Sequence, residues 1–460
     1  MRKIFSYILL LSVAMVMSSC SIYSHYSRPE DISTDNLFGD NVTSTDSLSI
    51  AHIPWREFFT DAKLQTLIEE GLKNNYDLRT ATLRIDEANA ALRTARLSYY
   101  PSFSFSPSGT LSFSNNFHSV SGSYKLPIDI SWEFDLAGRL FNKKNKAKVA
   151  YEQSLINRRS VQSRLIAAIA NNYYTLLMLD SQLEISRTTA ANWKENVRIM
   201  RAMMDAGMTN KASISQTEAN SYSIEASLFD LERQIREVEN SMSLLLGSYP
   251  RTIERGTLDE QSTRIDFSVG VPAQLLANRP DVRGAELDLA MAHYTTNLAR
   301  SAFYPSIKLG GTFGWSSAGT AIVNPGEFLL SLVGSLVQPI FNAGVNHAQL
   351  KIAKSQQEQA KLAFVQTLLN AGGEVNDALM QFQTARSKTD VRKRQIEALE
   401  SAVESTQLLM RHGDATYLEV LTAQQNLLSA QLKQIADRFE GIQGIVNLYQ
   451  ALGGGAEVAE

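Results

Sequence analysis

The stretch that decides the fold is residues 139–206, RLFNKKNKAKVAYEQSLINRRSVQSRLIAAIANNYYTLLMLDSQLEISRTTAANWKENVRIMRAMMDA. Its 68 residues include neither glycine nor proline, the two residues that most disfavour a helix interior. As a single helix with a rise of about 1.5 Å per residue, it would be about 100 Å long. An ordinary globular domain has no use for such a length. The run therefore predicts a helical rod around which the chain is organised.

A second rod is predicted over residues 345–412, which are again 68 residues long and free of proline. Only Gly372 and Gly373 interrupt it. Each rod is followed by a glycine, Gly207 or Gly413, and then by 39 residues that predict a returning helix. The returning helices are predicted over 208–246 and 414–452. Their apolar residues repeat at heptad spacing, which is typical of helices that pack side by side as in a coiled coil.

The whole arrangement occurs twice. Tyr-Pro-Ser at 100–102 returns at 304–306, an offset of 204, and the rod-ending glycines are 206 residues apart. Each half predicts a helix, two strands, a rod and a returning helix. The first helix is predicted over 61–99, with an interruption at Gly71. The first repeat is predicted over 61–254 and the second over 273–460, and an equatorial linker over 255–272 joins them.

Strands are predicted over about 101–137 and 305–341, where apolar and polar residues alternate. One face of the second strand carries Ile128, Ile130, Trp132 and Phe134, whereas the other carries carboxylates. Such a strand separates an apolar from an aqueous environment. The fourth strand is too apolar for its faces to be assigned. The residues expected to line a water-filled lumen are Asp129, Glu133, Asp135 and Lys308.

Four such strands do not close a barrel, since the smallest transmembrane barrels have about eight. An open edge cannot remain in lipid, where each unpaired backbone group costs several kcal/mol. Several copies must therefore pool their strands. Two copies would give about eight strands and an interior filled by side chains. Three would give 12, and the charged inner faces favour this larger, water-filled arrangement.

The N-terminus predicts export. Arg2 and Lys3 precede an apolar run over 4–17 that is short for a membrane span, so residues 1–19 have the pattern of a signal peptide. Cys20, the single cysteine, follows small residues as at a bacterial lipoprotein cleavage site. This reading makes Cys20 the acylated first residue of an arm over 20–60. The alternative is an ordinary signal peptide with an incidental cysteine.

Other function classes find little support. A net charge of −3 offers no general attraction for nucleic acid. The six histidines show no metal-ligand spacing, and no phosphate-binding loop or catalytic serine motif is present, so neither an enzyme nor a cofactor is expected. Met203, Met204 and Met208 allow two readings: handling of a soft metal, or apolar packing of a helical turn.

Several motifs resemble those of one family. They are Asn278-Arg279-Pro280-Asp281-Val282, Phe303-Tyr304-Pro305-Ser306, the strand-to-rod junction over 131–139, and Gln338-Pro339-Ile340-Phe341-Asn342-Ala343-Gly344. They are similar to the motifs of the TolC-like outer-membrane factors, in particular the NodT-type lipoprotein branch. The resemblance implies a mainly α, internally duplicated chain that forms a homotrimer. In it, a 12-stranded outer-membrane β-barrel continues into a long periplasmic α-helical barrel.

The same resemblance implies a passive exit duct for small molecules in a tripartite efflux system. Its expected partners are a periplasmic adaptor (membrane fusion) protein, an inner-membrane pump of the resistance-nodulation-division type, and outer-membrane lipid. The turns expected to contact the adaptor contain Gly207, Met208, Thr209, Gly413 and Asp414. The alternative reading is a structural lipoprotein that tethers the outer membrane across the periplasm.

By resemblance, Leu418, Glu419 and Thr422 would constrict the periplasmic gate. Related channels often place an aspartate where Thr422 stands, so a carboxylate ring would have to come from Glu419. The spacing of Thr416 and Glu419 also fits a helix capping box, in which the glutamate stabilises the helix start. Both readings of Glu419 stay open.

Overall fold

The computed structural model describes residues 23, 25–29, 53–114, 119–261, 279–319 and 326–455. The predicted signal peptide and Cys20 lie outside the described residues, as do most of the arm and most of the linker. Among the described helices, none is both long and apolar enough to cross a bilayer.

The described residues are mainly helical, and the same order of elements occurs in both halves. The first half contains α1 (Trp55–Phe58), α2 (Ala62–Asn74), α3 (Tyr76–Leu97), β1 (Ser102–Phe105), β2 (Ser108–Ser114), β3 (Ser119–Phe134), α4 (Arg139–Asp205) and α5 (Lys211–Leu245). The second contains α6 (Pro280–Ser301), β4 (Ser306–Gly319), β5 (Glu327–Val337), α7 (Val345–His412) and α8 (Tyr417–Ala451). The internal duplication and the mainly helical class are thus confirmed.

The predicted rods are α4 and α7. Helix α7 continues through its two glycines without a break. A Cβ added at Gly373 would meet nothing within 4 Å. A helical glycine costs about 1 kcal/mol relative to alanine, which is small beside the stability of a helix of this length.

The interruption expected at Gly71 lies instead at Asn75. The buried Asn75 accepts a hydrogen bond from the Leu78 N–H (3.0 Å) and donates one to the Leu245 carbonyl (2.9 Å). It therefore ends α2 and caps α3. Gly71 stays inside α2, where a Cβ would lie 2.4 Å from Cδ1 of Ile169. Its lack of a side chain permits close helix packing.

The strands form one antiparallel sheet in the order β1-β3-β4-β5, and β2 also pairs with β3. β1 and β2 occupy the same side of β3, and the chain between them contains Ser106 and Pro107. Proline has no N–H to donate to a neighbouring strand, so the interruption falls at the edge. β1 with β2 forms one edge of this sheet, and β5 forms the other.

The chain divides into two compact units, and each contains parts of both repeats. The first comprises Met1–Ile32, Leu83–Leu155 and Gly284–Val365 and contains the sheet. The second comprises Ser33–Thr82, Ile156–Arg283 and Gln366–Glu460 and contains a hydrophobic core. In that core, Phe58 stacks on Tyr449 with ring centroids 3.9 Å apart.

The buried Arg279, which belongs to one of the motifs quoted above, binds the C-terminal end of α8 in the second unit. Its guanidinium donates to the carbonyl of Ala451, the last residue of α8 (2.7 Å), and to the carboxylates of Asp281 (3.0 and 2.7 Å) and Glu374 (2.5 Å). A cation at a helix C-terminus satisfies a free carbonyl and complements the helix dipole. The motif is therefore structural at this position.

Candidate functional site

The sheet has one polar and one apolar face, and the register shows both. Across the strands, Ser104, Asp129, Thr312 and Ser331 are paired neighbours. The next row, at Phe103, Ile130, Gly311 and Leu332, is apolar. Side chains alternate between the two faces of a sheet. The four residues of the polar row, one each from β1, β3, β4 and β5, therefore lie on the same face.

Asp129 is at the centre of the polar face. Its carboxylate accepts hydrogen bonds from the hydroxyls of Thr312 (2.6 Å) and Ser106 (2.8 Å). These partners come from the neighbouring strand β4 and from the link between β1 and β2. A charged side chain held by two hydroxyls, and still open to solvent, fits a water-filled surface.

Glu133 lies between two cations on the same face. It pairs in register with Lys308, and both of its oxygens accept from the guanidinium of Arg139 (2.8 and 2.5 Å). Arg139 is the first residue of α4. The bidentate pair therefore links the end of β3 to the start of the rod.

Asp135 has a different position from the other expected lumen residues. β3 ends at Phe134, and the Asp135 carboxylate accepts hydrogen bonds from the backbone N–H groups of Leu140 (2.9 Å) and Phe141 (2.8 Å). These are free donors in the first turn of α4. The residue caps the rod, and strand alternation does not extend to it.

The register also assigns the faces of β5, which the sequence left open. Ser331 pairs with Thr312 and Ser335 with Lys308, so both serines belong to the polar face. Leu330, Leu332 and Leu336 fall on the apolar face and are 66%, 79% and 67% exposed. The cue in the sequence was the spacing of the two serines, which is that of one strand face.

Aromatic residues collect where the strands meet the helices. The indole N–H of Trp132 donates to the Tyr99 carbonyl (2.9 Å), and its ring lies 4.2 Å from that of Phe134. Tyr100 and Tyr304 are exposed nearby in sequence. Rings of this kind mark the interface between hydrocarbon and water in membrane proteins.

The first turn, residues 207–210, follows the α4 rod. Gly207 has φ +73°, and the Met208 N–H donates to the Met203 carbonyl (2.8 Å), as at a glycine-terminated helix end. Asn210 then caps α5 by accepting from the Ser213 N–H (3.0 Å). Met208 is 72% exposed. The turn thus presents an apolar side chain to solvent.

The second turn, residues 413–416, ends the α7 rod in the same way. Gly413 has φ +83°, and the Asp414 N–H donates to the Leu409 carbonyl (2.9 Å). Its helix start differs, because the Thr416 side chain caps no backbone N–H of α8. The Thr416 hydroxyl instead donates to the Glu419 carboxylate (3.1 Å). The reciprocal bonds of a capping box are therefore not formed.

The three expected gate residues share one exposed face at the start of α8. Leu418 is 64% exposed, and Glu419 and Thr422 are also exposed. Thr422 lies one helical turn after Leu418 and donates to its carbonyl (2.9 Å). The neighbouring Val420 and Leu421 are buried and fix the helix orientation.

Within the described ranges, no group of three or more His, Asp, Glu or Cys side chains could hold a metal ion. Two features were not predicted from the sequence: the pairing of Arg139 with Glu133, and the interactions of residues 25–29. A basic residue directly after Gly138 was the available signal for the first. No periodic pattern marks the second.

Comparison with known proteins gives the family. Cation efflux system protein CusC of Escherichia coli (strain K12) is 29% identical over 451 residues, covering 96% of this chain and 98% of CusC. The probable outer membrane lipoprotein SilC of Salmonella typhimurium is 28% identical over 456 residues, covering 97% of this chain and 98% of SilC.

Solved structures agree with the sequence matches. A crystal structure of CusC has a TM-score of 0.82 at 28% identity and covers 95% of this chain and 100% of that one. The open state of the Neisseria gonorrhoeae MtrE outer membrane channel has a TM-score of 0.84 at 26% identity and covers 95% and 99%. The predicted resemblance is confirmed.

The family profile described as outer membrane efflux protein matches twice, over residues 67–248 and 271–454. The two matches correspond to the two halves of the chain and together account for most of it. This protein belongs to the outer membrane efflux protein family.

Proposed function

We propose that this chain is, as a homotrimer, the outer-membrane exit duct of a tripartite efflux system. Small molecules would pass through it passively from an inner-membrane pump and a periplasmic adaptor to the outside. The observation that most strongly supports this proposal is the exposure of the edge strand β5. Each of its residues is exposed, and its large apolar side chains stand on a sheet edge that pairs with no further strand among the described residues.

An exposed apolar edge strand is a template for pairing with another chain. In a membrane the requirement is stronger, since unpaired N–H and C=O groups have no water to bind. The β5 edge of one copy can pair with the β1 and β2 edge of the next. β1 and β2 pair with successive stretches of β3 and count as one strand, so each copy contributes four. Three copies would then close a barrel of 12 strands, which is wide enough for a water-filled lumen.

The polar face supports the lumen of this barrel. Asp129, Glu133 and Lys308 stand beside serines and a threonine, whereas the opposite face carries only apolar residues and glycines in the row through Ile130. This alternation is the pattern of transmembrane barrels with aqueous interiors. Asp135 is left out of the lumen here because it caps α4.

The two turns that follow the rods support the proposed contacts with the adaptor. Gly207, Met208, Gly413 and Asp414 are exposed, and with Thr209 they form the surface proposed for the adaptor. Leu418, Glu419 and Thr422 are proposed to line the aperture, which three copies would narrow. The pump is proposed to be of the resistance-nodulation-division type.

A lipid on Cys20 is proposed as a second attachment to the outer membrane. The residue follows an export signal and small residues, and SilC is named as a probable outer membrane lipoprotein. Labelling with a fatty-acid analogue should mark the wild type and not Cys20→Ser.

Two neighbouring substitutions on β5 test the barrel. Leu332→Arg places a charge on the proposed lipid face, at a cost of about 2–4 kcal/mol per chain near the bilayer centre. We expect loss of the crosslinked trimer from the membrane fraction. Ser331→Arg is the matched control, because it places the same charge on the proposed lumen face.

Ser331→Arg should assemble normally and shift ion selectivity towards anions in planar bilayers. Equal tolerance of both variants would contradict a membrane barrel. A folded, trimeric wild type that carries no single-channel current would favour the structural tether instead.

A further inference from the structure

A cavity of about 420 Å³ lies in the first unit, among the N-terminal arm residues 25–29, α6 and α7. It belongs to neither the sheet surface nor the turns described above. Its walls are rich in groups that are cationic or can donate hydrogen bonds. These are His25, Tyr26, His293, Arg300, Lys354 and Lys361.

Positive charge exceeds negative charge in this cavity. Three of its lining residues, Arg300, Lys354 and Lys361, are cations, and Glu358 is the one lining acid among the described residues. Within the described part of the chain, Lys354 makes no hydrogen bond or ion pair, and Arg300 donates only to the nearby Asn297 side chain (3.2 Å). Both cations therefore retain donors for a ligand.

The arm is held in place as one wall of the cavity. Arg28 donates two hydrogen bonds to the buried Glu286 (3.0 and 2.6 Å) and lies over the Phe364 ring. The rings of Tyr26 and His293 are 5.9 Å apart, edge to face. Burial raises the pKa of Tyr23 to about 12, in keeping with a closely packed arm.

The cavity lies just beyond the aromatic end of the sheet. Arg300 is next to the last residue of α6, and β4 begins at Ser306. Lys354 follows the start of α7 by nine residues, or about 14 Å of helix. The headgroup layer of a bilayer is about 5–8 Å thick on each side of the hydrocarbon. If the sheet crosses the membrane, Arg300 lies at the headgroup layer. The Lys354 side chain tilts towards the N-terminus of α7, as helical side chains do, and therefore reaches back towards that layer.

We propose that this cavity binds a phosphate-bearing anion, and that its occupant is the headgroup of an anionic phospholipid. The placement rests on the proposed function, because it requires the sheet to be in a membrane. Guanidinium and ammonium groups donate strong, charge-assisted hydrogen bonds to phosphate oxygens. Residues 25–29 would flank the headgroup as one wall of the cavity.

Native mass spectrometry of the detergent-solubilised full chain tests this proposal with two added lipids, phosphatidylglycerol and phosphatidylcholine. We expect phosphatidylglycerol to be retained preferentially. The double variant Arg300→Gln with Lys354→Gln should bind it about a hundredfold more weakly, which is about tenfold for each of the two charge-assisted hydrogen bonds removed. Lys351→Gln is the matched control, since it removes an exposed lysine one turn earlier on α7 that does not line the cavity.

Inorganic phosphate distinguishes the two possible occupants of the cavity, which are a lipid headgroup and a free phosphate ion. Displacement of phosphatidylglycerol by millimolar phosphate supports a site that recognises the phosphate group. Binding of phosphate without retention of the lipid would overturn the lipid as occupant. Equal retention of both lipids, or equal loss in the Lys351→Gln control, would overturn the site altogether.

Planar-bilayer recordings separate this inference from the proposed function. The double variant should conduct as the wild type does, because neither residue is on the proposed lumen face. A wild type that conducts but shows no preference for phosphatidylglycerol refutes only the lipid site. A wild type that binds the lipid but does not conduct refutes the duct and leaves the site standing.

Discussion

The first and second turns have the same backbone and different side-chain chemistry. Both rods end with a glycine at positive φ, and in both the next residue donates back to the rod, from Met208 to Met203 and from Asp414 to Leu409. The following helices begin differently. Asn210 caps a backbone N–H of α5, whereas Thr416 binds the Glu419 carboxylate and caps none in α8.

The difference shows which part of the duplicated unit is fixed and which is free to vary. The glycine-terminated end stops a rod and is kept in both repeats. The first turn of the returning helix is not kept: Ala212 and Ser213 in α5 correspond to the exposed Leu418 and Glu419 in α8. A larger apolar side chain and a carboxylate therefore occur only at the second turn, where the gate is proposed.

The largest expected effect tests the part that the turns share. Gly207→Ala and Gly413→Ala should each cost about 1–2 kcal/mol, because alanine is strained at positive φ. Neither new Cβ would meet an atom within 4 Å, so the cost is conformational. Hydrogen exchange of the last rod turn measures it.

Gly373→Ala is the control for this pair. It lies inside α7 with open space around it, so alanine should stabilise the helix by about 1 kcal/mol. A cost at only one of the two turns would show that they are not equivalent.

The next effect tests the charge at the second turn. A carboxylate attracts a monovalent cation about 10 Å away by about 0.4 kcal/mol in water, so three in a trimer supply about 1.2 kcal/mol at low salt. Glu419→Gln should therefore lower cation selectivity, measured as the reversal potential across a salt gradient. Stability should fall by no more than about 1 kcal/mol, because Glu419 is exposed and its carboxylate binds the Thr416 hydroxyl, so that only its interaction with the helix dipole is lost.

Adding Ser213→Glu to this variant sharpens the comparison. We expect no recovery of selectivity, since the first turn is not proposed to line the aperture. Full recovery would mean that both turns face the pore equally, and the assigned difference between them would be lost.

A smaller effect concerns the helix cap of the first turn. Asn210→Ala removes the acceptor for the Ser213 N–H and should destabilise the start of α5 by about 1 kcal/mol. The local amides should exchange about fivefold faster in hydrogen exchange. Unchanged exchange would mean that solvent satisfies this N–H equally well.

The smallest effect is expected at the matching residue of the second turn. Thr416→Ala removes a hydroxyl that caps no backbone group, so its cost should remain within about 0.5 kcal/mol, as for an ordinary surface position. A loss as large as that of Asn210→Ala would show that Thr416 caps α8 in solution.

The sequence predicted the long elements well because their signals are local and additive. The rods follow from runs without glycine or proline, and both ends follow from Gly207 and Gly413. The helix break at Asn75 could not be predicted, since it depends on a contact with Leu245, which is distant in sequence. Gly71 was a misleading signal of a helix break, because its lack of a side chain permits close packing against Ile169.

The candidate site was only partly predictable for a similar reason. Asp129, Glu133 and Lys308 share a face as alternation requires, but the faces of β5 needed the register with β4. Alternation cannot show where a strand ends, so Asp135 was grouped with the lumen although it caps α4. The basic cavity beside residues 25–29 combines side chains from separate segments and has no sequence period.

Single-channel recording of Leu418→Ala in planar bilayers tests the central claim most directly. The claim is that trimers form a pore whose aperture lies at the second turn. Wild-type channels should carry a small resting current, and truncation of the exposed Leu418 should raise it. Met208→Ala, which truncates an exposed side chain at the first turn, should not. Equal currents in all three proteins would contradict the claim.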